Sequence, residues 1–297
     1  MSVWAAWILH GRSRSVLFIS ATGLLSQLIL PFGLLSGGAI TLVALRNRFP
    51  EIAGVLVAAC GICAVFLWAA VGKAGFALQL LLFWVLAALA GILLRRSSNL
   101  ALAMLVPALA GLSVVAFIYT AFPEPVDLWK QVLVQSGQIL GLEPDMPGFT
   151  EVVAQRARLM TGLVAAAVMV GMSACLLLGR WWQSSLYNPG AFGREFRNLR
   201  FGRAITLVNV GLYALFLWSG SELVLSVLCV LAAMYALQGL SLAHAFARAR
   251  ALNILAVTIF YVILLLSVYA KLLLSILGMV DAWVDGRRRW LGGASSA

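Results

Sequence analysis

The chain has 297 residues, of which 63% are hydrophobic and only 10% charged, whereas an ordinary soluble domain is about half apolar and about a quarter charged. No water-soluble fold hides that much apolar surface, so the solvent around this chain is lipid. Its 21 Lys and Arg against 10 Asp and Glu give a net charge of +11, which in a soluble chain would point to nucleic acid; here it reads as membrane topology, and no nucleic-acid partner is expected.

Nearly uncharged runs fall at 15–30, 32–45, 52–71, 75–94, 99–121, 159–179, 204–219, 223–244 and 251–280. A hydrocarbon core about 30 Å thick takes roughly 20 apolar residues of helix to cross. In lipid every backbone N–H and C=O needs a partner in its own segment, and the alternation of a barrel is absent, so these runs are helices. The predicted fold is all-α: one integral membrane domain over 1–297, a polytopic bundle of roughly eight to ten hydrophobic segments with two amphipathic interfacial helices.

Arg12 and Arg14 precede an apolar run from Ser15, as in a signal sequence, but no small-residue cleavage site leads into a polar chain. The run reads as an uncleaved first helix. From Ser15 to Leu45 it is 31 residues long, about 46 Å as one helix, so it must tilt strongly or turn. Pro31 removes a donor and clashes with the carbonyl four residues back, which predicts a turn there. Two readings of the following glycines stay open. Freed backbone at Pro31, Gly33, Ser36, Gly37 and Gly38 lines a ligand cavity, or the four-residue spacing of Gly33 and Gly37 serves close helix packing. In the next span, Cys60 and Cys63 have redox or metal spacing, but they lie well inside the segment with no second pair and read as small apolar residues. Cys175 and Cys229 are also within spans.

The first helix group, 15–121, is followed by an external loop at 122–158. In it Val126, Trp129, Leu133 and Leu140 recur at helical spacing beside Asp127, Lys130 and Gln131, which predicts an amphipathic helix on the membrane. The second group, 159–289, contains a basic stretch in which Phe192, Phe196 and Leu199 share one face and Arg194, Arg197 and Arg200 point away. This predicts an in-plane helix over 190–203, opened by the turn Asn188-Pro189-Gly190. Trp181, Trp182, Arg194, Arg197 and Arg200 are the candidate contacts for lipid or for a protein partner on the cytoplasmic side. The run 251–280 exceeds one crossing and has Lys271 within it, so a break is predicted near Ser267 to Lys271, the second half returning to the cytoplasm. Lys271 either marks a polar pathway, with Asp281 and Asp285 as partners, or snorkels to a surface. Asp281 also has Arg288 and Arg289 within helical reach.

With residues 1–14 inside, the short loops place Arg12, Arg14, Arg46, Arg48, Arg95, Arg96, Arg180, Arg194, Arg197, Arg200, Arg203, Arg248 and Arg250 on the cytoplasmic side. Lys73, Lys130, Arg156 and Arg158 fall on the other. The bias sets the N-terminus in the cytoplasm, and the predicted break puts the C-terminus there too. His244 ends its span with no second ligand at metal spacing, His10 suggests nothing, and Gly33 to Gly38 has neither the lysine nor the preceding strand of a phosphate loop. No nucleophile stands at recognisable spacing from a base, so neither an enzyme nor a cofactor or metal site is expected.

The stretch GRWWQSSLYNPGAFGREFRNLRFGR at 179–203, together with Leu277 to Asp285 and Arg287-Arg288-Arg289, resembles the YybS-like family of bacterial multi-pass membrane proteins over nearly the whole chain. That family has no established activity. Its first half is similar to the substrate-binding S components of energy-coupling-factor transporters, matched here by Gly33 to Leu45 and Arg46-Asn47-Arg48-Phe49-Pro50. The resemblance implies a bacterial inner-membrane protein that binds or transports a small-molecule substrate; a scaffold recruiting a protein partner at the basic helix is the competing reading.

Overall fold

The computed structural model describes residues 2–139 and 148–284. Leu140, Asp285 and Arg287 to Arg289, named in the sequence analysis, lie outside them. The described residues form helices joined by short connections and contain no strand. In chain order these are α1 (Ser2–Leu9), α2 (Arg12–Leu25), α3 (Phe32–Arg46), α4 (Phe49–Val71), α5 (Phe76–Ser97), α6 (Leu100–Ala103), α7 (Leu105–Ala121), α8 (Pro125–Ile139), α9 (Phe149–Tyr187), α10 (Ala191–Arg197), α11 (Arg203–Ser219), α12 (Glu222–Ala249), α13 (Ile254–Leu266) and α14 (Val268–Val284). Five are long and apolar enough to cross a membrane: α4, α5, α6 with α7, α9 and α12. The pair α13 and α14, bent by 107°, makes a sixth if taken as one broken span. The chain is an all-α, multi-pass membrane protein. Helices α3 and α11, at 15 and 17 residues, are apolar but shorter than a crossing.

The helix ends follow from local chemistry. Pro50 stands in the first turn of α4, where its missing N–H costs nothing, and Glu51 faces the positive end of the dipole. Gly72 closes α4 in the left-handed region, and Gly220 does the same after α11. Asn253 caps α13 by accepting from Ala256 N–H at 2.9 Å. The run from Ser15 to Leu45 breaks where Pro31 predicted it: α2 ends at Leu25, a hydrogen-bonded turn occupies 26–31, and α3 starts at Phe32. The long run 251–280 breaks at Ser267, whose backbone is extended. The Ser267 hydroxyl accepts from Ala270 N–H (3.2 Å) and so caps α14, while Lys271 Nζ donates to Leu265 O (3.2 Å) at the open end of α13. The exposed Lys271 thus closes a helix end. The loop expected over 122–158 is shorter than that, because α9 starts at Phe149 and continues unbroken for 39 residues.

The chain divides into two compact units, Met1–Pro107 with Val170–Leu199, and Ala108–Met169 with Arg200–Ala297. In the first, α3 is central: Ser36 to Leu45 are all buried, so this helix has no face left for lipid over that stretch. It is surrounded by α2, α5, α4 and the second half of α9. Thr41 Oγ1 donates to Ala87 O on α5 (3.2 Å), and Gly91 lies against Ala44 and Thr41. In the second unit α12 and α14 form the most extensive helix pair. They meet backbone to backbone: a methyl group added at Gly239 would run into the carbonyl of Leu274, and one at Gly278 into that of Tyr235. Gly111 and Gly162 play the same part between α7, α9 and α12, beside Ala165 and Cys229.

Gly239→Ala and Gly278→Ala are each expected to lower the melting temperature of the detergent-purified protein, with a cost of about 1–3 kcal/mol for overpacking a closed contact. Gly211→Ala, at a helical glycine with open space around it, is the control and should leave the melting temperature unchanged or slightly raised. Equal effects at all three positions would show that the α12–α14 approach is not close.

Candidate functional site

The glycine hairpin lies inside the first unit. Pro31 is exposed and Gly33 half-buried, while Ser36, Gly37 and Gly38 are buried. The indole N–H of Trp84 donates to Ser36 Oγ at 2.7 Å, and that hydroxyl donates to Ile19 O at 3.0 Å, so α2, α3 and α5 share one polar relay. The space beside Gly37 is taken by Cys175 and Phe83, and beside Gly38 by Leu178. Cys60 and Cys63 are free thiols on α4 and each faces a different neighbour, Cys60 donating to Ala77 O (3.7 Å) and Cys63 to Ser20 O (3.8 Å).

The basic stretch is shorter and more engaged than its pattern implied. Helix α10 stops at Arg197 rather than running to Arg203. The backbone N–H of Phe201 goes instead to Gln238 Oε1 at 2.8 Å, which a continuing helix would not allow. Phe192 and Phe196 stack with centroids 6.0 Å apart. The Asn188-Pro189-Gly190 turn is held by Ser184, whose hydroxyl donates to Asn188 O (2.8 Å) and accepts from Phe192 N–H (3.0 Å). Arg180 reaches Glu195 with both forks of its guanidinium, joining α9 to α10. Trp182 is buried edge-on to Phe18, with centroids 6.4 Å apart, and Trp181 is half-buried. Arg194 is exposed, and Arg197 lies half-buried across Gly193. Arg200 departs from the outward direction expected of it: its Nη2 donates to the main-chain oxygen of Asp281 on α14 at 2.8 Å.

Asp281 is itself 1% exposed. Gln238 Nε2 on α12 donates to its Oδ2 at 3.1 Å. Gln238 therefore bridges the Asp281 carboxyl and the Phe201 amide. In the same unit the hydroxyls of Thr206 and Tyr235 lie 2.9 Å apart, and the Asn209 side-chain amide meets the sulfur of Met279 at 3.4 Å. The sequence reading did not single out Gln238. An amide within an otherwise uncharged span was the signal that could have marked it.

A different part of the second unit offers space for a solute. The C-terminal end of α7, the start of α8, one turn of α9 and the turn before α12 border an open cavity of about 620 Å³, with Tyr119, Glu124, Asp127, Lys130, Arg158 and Glu222 among its lining. Trp129 fixes the α8 wall, its indole N–H donating to Thr161 Oγ1 on α9 at 2.8 Å. Lys130 Nζ pairs with Asp127 at 2.6 Å and Arg158 Nε with Glu222 at 3.3 Å. The Asp127 carboxyl, by hydrogen bond and by charge, holds Glu124 above its ordinary value, while the hydrogen bond from Lys130 holds Asp127 below its own. In the sequence Asp127 and Lys130 read only as the polar face of an amphipathic helix and Arg158 only as a loop charge, because ion pairs in a polar loop are the ordinary case.

On acidification Glu124 should take up its proton first, and Asp127 should keep its charge until lower pH. The Asp127–Lys130 pair is then present above the ordinary Asp range and lost as pH falls through the lowered value. A carboxyl NMR titration reads both groups, and Lys130→Ala should return Asp127 upward toward its ordinary value. An unmoved Asp127 would remove Lys130 as the cause. Comparison with known proteins returns nothing that identifies the chain: no protein-family model, curated protein or solved structure matches it.

Proposed function

We propose that this membrane protein binds a small charged or zwitterionic solute, as the substrate-binding or permease subunit of a small-molecule transport system. The observation that carries the reading is the cavity bounded by Glu124, Asp127, Lys130, Arg158 and Glu222. Its volume falls within the roughly 300–1,000 Å³ of small-molecule sites. It differs from them in polarity. Carboxylates and cations alternate around it, so an ammonium group finds Glu124 or Glu222 and a carboxylate finds Arg158. Exposed surface pairs contribute little to the fold, so exchanging them for contacts with a solute costs little.

The arginine bias of the short loops supports an orientation with the N-terminus, and by the break at Ser267 the C-terminus, in the cytoplasm, and the resemblance to the YybS-like family implies a bacterial inner membrane. The cavity then opens on the outer side, where a solute arrives. The resemblance to the YybS-like family and to transporter S components points the same way. A scaffold that recruits a partner at 190–203 has less to stand on, since Trp182 is buried, Arg180 and Glu195 hold each other, and Arg194 is the exposed arginine of α10.

A thermal-shift screen of the purified protein against amino acids and other small zwitterions tests this. A ligand should raise the melting temperature of the wild type, and Arg158→Ala or Glu222→Ala should weaken its binding roughly ten- to hundredfold, the worth of one charge-assisted hydrogen bond. No stabilising solute, or one whose binding ignores both substitutions, would remove the reading.

A further inference from the structure

The other end of α12 lines a second space of opposite character. Helices α12, α13 and α14 enclose a cleft of about 490 Å³ whose walls are carbon: Leu242, Ala243, Phe246 and Ala247 from α12, Phe260 from α13 and Leu277 from α14. The 107° bend at Ser267 creates it by laying α13 away from the line of α14. No residue of α13 is buried, so the helix that walls the cleft meets hydrocarbon on its other faces.

Polar groups gather at one side. His244 lines the cleft, and its Nε2 is hydrogen-bonded to the Tyr261 hydroxyl at 2.6 Å. The guanidinium of Arg250 sits 5.4 Å from the ring centroid of the wall residue Phe246, and Arg248 is exposed close by in the sequence. From Leu223 to Val280 there is no Asp or Glu. Asp281, the next acid along α14, is buried and accepts from Gln238. Among the described residues the rim is cationic, with Arg248 and Arg250 exposed and no acid in the lining of the cleft. A soluble ligand of this volume would need convergent polar groups deep in the pocket, and this one has only carbon there.

We infer that the cleft holds one acyl chain of an anionic phospholipid from the bilayer, with the lipid phosphate at Arg248 and Arg250. Arginine suits that role because its planar fork gives two parallel hydrogen bonds to phosphate oxygens. Arg248 stands in the last turn of α12 and Arg250 caps that helix, at the end of its long apolar run, where headgroups lie. The His244–Tyr261 pair is amphipathic at the same level and provides hydrogen-bonding groups next to the glycerol esters.

Native mass spectrometry of the full-length, detergent-purified protein, titrated with phosphatidylglycerol or phosphatidylcholine, is the test. The wild type should retain one phosphatidylglycerol in clear preference to phosphatidylcholine. The double substitution Arg248→Gln, Arg250→Gln should weaken phosphatidylglycerol binding by about thirtyfold, each arginine contributing about one surface electrostatic contact. Ala247→Phe, which fills the cleft, should reduce both lipids. Equal retention of the two lipids, a preference that survives loss of both arginines, or full binding by a folded Ala247→Phe protein would each overturn the assignment. Should Ala247→Phe aggregate on size exclusion, the arginine variant decides alone, because its side chains are exposed and the fold does not depend on them.

Discussion

Two helices in hydrocarbon gain almost nothing by leaving lipid for each other, so what binds them is how closely their backbones can come. That constraint organises both units. In the second, α12 and α14 touch through Gly239 and Gly278 with no room for a methyl group. In the first, α3 fits among its neighbours because Gly37, Gly38, Gly91 and Gly179 present no side chain where another helix passes. A fully buried helix in a soluble protein is held by the water it avoids. Here α3 is held by dispersion across short distances and by two hydroxyls, those of Ser36 and Thr41, that reach backbone carbonyls of α2 and α5.

Close approach also decides how polar groups are tolerated at depth. Gln238 stands one residue before Gly239, and Asp281 three after Gly278, so the crossing that excludes side chains brings an amide and a carboxyl within 3.1 Å of each other. Each gives the other a partner that lipid cannot provide. Helix α12 then runs from Glu222, which lines the charged cavity, to His244, which lines the apolar cleft. One rigid rod of 28 residues, about 42 Å long, carries both.

The elements with one-dimensional causes were legible in the sequence. Pro31 and the length of the run around it gave the first break, and Lys271 with the length of 251–280 gave the second. Five long apolar helices stand where apolar runs do. What was not legible depends on a partner distant in the chain. Arg200 looked like a third outward arginine by periodicity, yet the segment leaves helical geometry at Asn198 and turns it to Asp281. Leu199 and Phe201 are buried where the segment makes that departure, and Trp182 is buried against Phe18 on α2. The spacing of Gly33 and Gly37 could not say whether the freed space holds a ligand or another helix, because Cys175 and Leu178, which fill it beside Gly37 and Gly38, lie in a segment far along the chain. The charged cavity was invisible for a further reason: its lining comes from the ends of four helices, each unremarkable by itself.

The burial of α3 has a consequence for biosynthesis. Its last neighbour is the second half of α9, and the contact between Gly33 and Cys175 joins residues 142 apart. At roughly 5–20 residues per second, the ribosome takes on the order of ten seconds to cover that distance. During that interval α3, whose glycines leave a groove rather than a ridge, faces lipid with a wall missing. A helix of 15 residues is too short to hold a crossing position by its own length. Its place in the bilayer has to be kept meanwhile by α2 and α5, through the Ser36–Ile19, Trp84–Ser36 and Thr41–Ala87 hydrogen bonds. These bonds act first as a temporary brace on a nascent chain, and only later as part of a finished core.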